Sequence, residues 1–99
     1  MEIEYGDEVL RRLAEDPDFA PRQWSRELIR SYRKKVQILG AAKDERDLRW
    51  LRGLRLEKLA GGRAGTSSIR LNDQFRLILR FRTDPGGQVV IVLELVDYH

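Results

Sequence analysis

The hydrophobic period of this chain changes at Gly53, and that change limits what the chain can fold into. Before it, Trp24, Leu28, Tyr32, Val36 and Leu39 recur three or four positions apart, one apolar stripe along an amphipathic helix. After it, Phe75, Leu77, Leu79 and Phe81 alternate with Arg76, Ile78, Arg80 and Arg82. Val89, Ile91, Leu93 and Leu95 then alternate with Val90, Val92, Glu94 and Val96. A period of two belongs to strands. Asn72-Asp73 and Asp84-Pro85-Gly86-Gly87 are turn sequences between such runs, so neighbouring strands are expected to pair antiparallel.

The remaining elements follow from punctuation. Ile3 and Tyr5 alternate with Glu2 and Glu4 as a short first strand. Asp7 reads as the N-cap of a helix carrying Val9, Leu10, Leu13 and Ala14, and Asp16-Pro17-Asp18 stops it. Pro21 suits the first residue of the long helix, which Gly40 closes. Asp44 caps a short third helix that turns Leu48 and Leu51 inward. Beyond Gly53, Leu54, Leu56 and Lys58 point one way and Arg55, Glu57 and Leu59 the other, and Ile69 and Leu71 mark the next strand. The expectation is an α+β fold: a short N-terminal strand and two to three helices packed on an antiparallel sheet. Residues 1–99 make a single domain, with no room for a second core.

Charge narrows the partners. The net charge is only +3, yet residues 46–82 hold ten basic and three acidic side chains. The flanking stretches are weakly acidic, so a polyanion-facing patch is expected in the middle of the sequence. Fifteen of the 19 basic residues are Arg, which pairs bidentately with phosphate and stacks on bases. With no Cys and one His, thiolate and multi-His metal sites are excluded, and no cofactor is indicated. No run approaches the length of a membrane span and the N-terminus lacks a signal-peptide pattern, so a soluble, cytoplasmic protein is expected.

Within the basic block, Arg76 begins its strand beside a turn and is the best placed for a directed role. Arg80 and Arg82 read first as a solvated strand face, as do Arg22, Arg26, Arg30 and Arg33 along the long helix. The loop Gly61-Gly62-Arg63-Ala64-Gly65 can bring Arg63 to a phosphate but lacks the Lys-Ser/Thr of a nucleotide-binding loop. Asp97, Tyr98 and His99 together offer an acceptor, a phenol and an imidazole that titrates near neutrality.

Four segments then combine. Gly53-Leu54-Arg55-Leu56-Glu57-Lys58-Leu59, Gly61 with Arg63-Ala64-Gly65, Ser68-Ile69-Arg70-Leu71-Asn72-Asp73-Gln74-Phe75-Arg76, and Val96-Asp97-Tyr98-His99 resemble, in order and spacing, the HigB-type branch of the RelE/ParE toxin superfamily. The resemblance implies a RelE-like, microbial-ribonuclease-type fold and the toxin of a type II toxin–antitoxin pair. It implies a ribosome-dependent mRNA endonuclease, an mRNA interferase that cuts translated messages in the A site and inhibits translation. The implied partners are a HigA-like helix-turn-helix antitoxin, the ribosome and mRNA, with operator DNA reached only through the antitoxin.

Metal-free RNA cleavage needs a base for the 2′-hydroxyl, an acid for the 5′-oxygen and cations for the transition state. By the resemblance, Arg63 and Arg76 stabilise charge, His99 transfers a proton or stacks, Tyr98 stacks or positions, and Asp97 orients its neighbours. Arg55, Arg70, Arg80 and Arg82 are the expected RNA-binding set. Where many members have His, Lys and Asp, this chain has Glu57, Ala60 and Gly62. Lys58 is the candidate replacement cation and Glu57 a candidate base. Two other readings stand beside the nuclease: a ParE-like inhibitor of DNA gyrase, and a catalytically weakened toxin acting as an antitoxin-binding co-repressor.

Overall fold

Two polar side chains decide where the first two helices begin. The Asp7 carboxylate accepts the Leu10 amide at 3.0 Å and starts α1 (Glu8–Glu15), while the Ser25 hydroxyl accepts the Leu28 amide at 3.1 Å and starts α2 (Arg26–Ala41). The long helix therefore begins at Arg26 and not at Pro21, because an N-cap satisfies a backbone donor that proline merely lacks. Asp44 caps α3 (Glu45–Trp50) through the Arg46 amide. The helix stops one residue before Leu51, which is left exposed, and a 3-10 turn at Arg52–Leu54 buries Leu54 in its place.

The structure is a computed structural model that describes residues 1–98; His99, expected to transfer a proton or to stack, lies outside the described residues. Five strands, β1 (Glu2–Tyr5), β2 (Glu57–Lys58), β3 (Ser67–Arg70), β4 (Phe75–Asp84) and β5 (Gly87–Asp97), form one sheet in the order β1-β5-β4-β3-β2. From β2 to β5 every pairing is antiparallel, as the short connections β3–β4 and β4–β5 require and the longer loop between β2 and β3 allows. The first strand departs from that pattern and lies parallel to β5, with Glu2 opposite Val89 and Tyr5 opposite Val92. No hairpin joins these two strands, so no turn dictates their direction.

All three helices cover one face of the sheet. Leu13, Leu28, Tyr32, Leu39 and Leu48 meet Ile69, Leu77, Leu79, Val90 and Val92 in a single core. Burial of each such side chain contributes roughly 1.5–3 kcal/mol relative to exposure. The Tyr32 hydroxyl donates to the Leu10 carbonyl at 2.7 Å, and burial pushes its pKa well up, so this phenol stays protonated and ties α2 to α1.

Arg33 departs from the solvated-face reading. Its Nε donates to the Leu13 carbonyl at 2.9 Å, and its Nη2 to the carbonyls of Asp16 at 3.1 Å and Phe19 at 2.9 Å. One guanidinium thus holds the end of α1 and the following loop against α2. Helical spacing alone cannot reveal this, because the acceptors are backbone atoms of another segment.

β5 carries an irregularity that inverts its faces. Ile78 pairs with Glu94 but Leu79 pairs with Val92, leaving Leu93 as an extra residue. Val90 and Val92 therefore face the core on one side of the bulge and Leu95 on the other, whereas simple alternation placed Leu95 with Ile91. A one-residue slip exchanges the faces of a strand.

Candidate active site

The sheet face away from the helices holds the unusual chemistry. Strand partners share a face, so the register groups residues into rows. One row runs Glu57, Ser68, Ile78 and Glu94; the next runs Arg70, Arg76 and Val96. Arg80 follows opposite Ile91, and Arg82 opposite Val89.

Arg76 is held by the turn that precedes it. Asn72 Oδ1 accepts the amides of Gln74 at 2.9 Å and Phe75 at 2.7 Å, an Asx turn that fixes the hairpin. That geometry presents the Asn72 and Phe75 carbonyls to Arg76 Nη1, at 2.8 and 3.2 Å. The guanidinium also lies over the Tyr98 ring, 5.3 Å from its centroid. Such a contact contributes about 0.5–1 kcal/mol at an exposed position. Tyr98 is itself positioned by its amide, which donates to the Gln74 carbonyl at 2.6 Å.

Two arginines stand directly opposite one another here, Arg70 and Arg76. Like charges across a pair repel, and the Arg70–Asp73 ion pair relieves that cost. The free cationic character of this row is therefore concentrated on Arg76.

Arg63 arrives from the loop between β2 and β3. Gly61 and Gly65 take the left-handed conformations that the loop needs, and the Thr66 amide and hydroxyl both donate to the Arg63 carbonyl, at 3.1 and 2.6 Å. So anchored, Arg63 Nη1 reaches Glu94 Oε2 at 2.8 Å on β5. The bridge spans the row that contains Ser68 and Ile78, which are 2% and 1% exposed although they face away from the helices. Glu94 is the site residue that the motif reading missed. Its signal was a lone carboxylate in the apolar run from Val89 to Val96.

The other candidates separate. Asp97 accepts Gln74 Nε2 at 2.9 Å and pairs with Phe75, so it lies across the strand from Tyr98 and not beside it. Lys58 pairs with Ser67, which pairs with the core residue Leu79; it lines a 280 Å³ cleft with Glu45 and Phe81 on the helix side. The register does not bring Lys58 to Arg76. Arg55 is exposed in a left-handed conformation before β2. Arg82 is held by Glu4 at 3.0 and 2.7 Å and by Asp84 at 2.8 and 3.0 Å, braced between strands.

The brace makes a testable statement about pH. Hydrogen bonds from Arg82 hold the Glu4 and Asp84 carboxyls below their ordinary values. Carboxylates lowered in the folded state stabilise it above the ordinary carboxylate range, and that stabilisation is lost as pH falls through the lowered values. The melting temperature of Arg82→Gln should therefore lie below that of the parent near neutrality and converge with it in acid. A gap that persists when both carboxyls are protonated would show that the brace acts by packing.

These pairings reduce the central positive block. Arg46, Arg49, Arg63, Arg70 and Arg82 each meet a carboxylate, whereas Arg52, Arg55, Lys58, Arg76 and Arg80 form no ion pair among the described residues. No group of three or more metal-ligating side chains occurs among those residues either.

The family model described as the RelE-like toxin of the type II toxin-antitoxin system HigB matches residues 3–99. The chain belongs to the HigB-like toxin family. Toxin HigB-1 of Vibrio cholerae serotype O1 is 38% identical over 81 residues, covering 82% of this chain and 84% of that one. A solved YoeB/ParE toxin from Agrobacterium tumefaciens superposes over the whole of both chains with a TM-score of 0.60 at 14% identity, a likeness of fold. For this HigB-like chain the RelE-type α+β architecture is thus found from two directions. No described helix is long and apolar enough to cross a membrane.

Proposed function

We propose that this HigB-like toxin is a ribosome-dependent mRNA endonuclease that cuts translated message in the A site. The observation that carries the reading is the open sheet face on which Arg76 lies over Tyr98, with Arg80 further along the same strand. Arg76 offers a planar guanidinium to a scissile phosphate, and Arg80 offers a second cation to the RNA backbone. Their strand positions are about 13 Å apart, which suits two phosphates of one strand. Arg80 takes the part that the sequence reading gave to Lys58.

In the reaction, a base removes the 2′-hydroxyl proton, the 2′-oxygen attacks phosphorus, and the departing 5′-oxygen takes a proton from an acid. His99 is assigned proton transfer from its place in the terminal motif, and Tyr98 positions a base by stacking. Glu57 is the alternative proton acceptor, on the same face but at the β2 edge. In the isolated chain Arg76 is turned onto backbone carbonyls and Arg63 onto Glu94. A substrate phosphate must compete with those acceptors, which supports a requirement for the ribosome to present the message.

A HigA-like antitoxin is the partner, it carries any contact with operator DNA, and the cytoplasm is the site of action. The test is induced expression with cleavage mapping on one message with and without its start codon. Cuts confined to the translated version are expected; cuts in both, or growth arrest with DNA damage and intact message, would overturn the reading.

Glu94 supplies a quantitative check on the free protein. Glu94→Gln releases Arg63, so one more phosphate contact should form with a single-stranded oligonucleotide. The slope of log K against log salt should steepen by about 0.7. An unchanged slope would mean that Arg63 does not reach RNA.

A further inference from the structure

Trp50 is 84% exposed at the end of α3, and Leu51 beside it is 46% exposed. Neither contributes to the sheet face described above. Together with Ile38 and Leu54 they border an open groove of 450 Å³ on the helix side of the molecule. Contiguous apolar surface left in water marks interaction sites. The rim of this groove is cationic: Lys34 and Lys35 come from α2 and Arg52 from the following turn, and its lining contains no Asp or Glu. None of the three cations forms an ion pair among the described residues, unlike most of the arginines nearby. Burial, and to a smaller extent repulsion from Lys34 and Arg70, lowers the Lys35 pKa, and an incoming carboxylate would offset the repulsion.

We infer that the Trp50–Leu51 groove docks an acidic amphipathic segment of the antitoxin, one that places a large apolar side chain against Trp50 between flanking carboxylates. The inference rests on the proposed toxin–antitoxin function and adds the surface and the chemistry of its occupant. Charge complementarity selects this occupant, since an unpartnered cationic rim around an apolar floor fits a peptide with both properties. Trp50 with the three cations also has the elements of a base-stacking platform, but the continuous aliphatic floor of Ile38, Leu51 and Leu54 beneath it favours a peptide with an apolar face, and the cleavage assay separates the two.

The probe is the antitoxin encoded beside the toxin gene, titrated calorimetrically against the full-length chain and its variants, with cleavage of translated message measured in parallel. Trp50→Ala should weaken binding about 30-fold, the scale of an interface hot spot. The Lys34→Glu and Lys35→Glu double variant should weaken it about 10-fold and flatten its salt dependence. Cleavage should stay within about threefold of the parent in each, a readout that also reports intact folding. Affinities within about twofold of the parent would overturn the groove while leaving the toxin reading intact. Loss of cleavage with antitoxin binding preserved would assign the surface to the ribosome and overturn it too. A parent chain that self-associates through Trp50, seen by sedimentation and abolished in Trp50→Ala, would replace the antitoxin with a second copy. Failure of the parent chain to bind any neighbouring gene product, with message still cut, would remove the occupant but not the nuclease.

Discussion

Replacing Arg76 by Ala should lower cleavage of translated message by about 10²–10³-fold, the effect of deleting one preorganised donor to a transition-state oxyanion. Growth arrest on induction should disappear with it. Three features single out this arginine. It lies on the open face, its charge meets no carboxylate among the described residues whereas that of Arg70 is paired with Asp73, and it is stacked on Tyr98. Arg76→Lys keeps the charge and loses the planar fork, so it should recover only a small part of the activity. The check is cleavage mapping in cells carrying each variant at matched protein level. Activity of Arg76→Ala within about threefold of the parent would remove Arg76 from the reaction, whatever its neighbours do.

The second large effect concerns stability. Arg33→Ala should lower the unfolding free energy by about 3 kcal/mol, because three carbonyls lose a charged donor and two of them close the end of α1. Water can reach these partly buried acceptors only in part, so some of the desolvation cost remains. Arg33→Lys should fall between the two, since an ammonium on a flexible stem cannot serve three separated acceptors in one geometry. Urea unfolding measures both. A loss below about 0.5 kcal/mol would mean that the carbonyls are fully hydrated in the variant and that the staple is incidental.

Much of the architecture was legible because it follows from local chemistry. The stripe from Leu28 to Leu39 is a helix face in any context, and Asp7 and Asp44 cap what they were expected to cap. The alternation from Phe75 to Phe81, closed by Asp84-Pro85-Gly86-Gly87, forms a hairpin for the same reason. Where local signals competed, the structure chose. Pro21 was the expected start of α2, yet the helix begins at Arg26, behind Ser25, whose hydroxyl accepts a backbone amide. Leu51 fitted an inward position by spacing, yet α3 ends at Trp50 and turns it outward.

The candidate site divides in the same way. Its arginines, Tyr98 and His99 were nominated by four ordered segments that mark a HigB-like chain without reference to space, whereas Glu94 was not. Their arrangement was not. Tyr98 and Asp97 are neighbours in the chain and opposites on the strand, and Lys58 is separated from Arg76 by the thickness of the sheet. The pairing of Arg63 with Glu94 joins residues 31 positions apart, beyond any periodicity argument.

The period change at Gly53 thus determined the elements and their type, since hydrophobic spacing acts through backbone geometry that each segment carries by itself. The basic block determined that the protein would hold excess positive charge in its second half. Only the tertiary structure decided which of those charges remain available. Ion pairs form wherever carboxylates from distant segments come within reach, and reach is set by register, bulges and caps. Glu4 and Glu94 from distant strands, and Asp73 from the adjoining turn, neutralise arginines that the sequence counted as free, while Arg76 and Arg80 form no ion pair among the described residues on the open face.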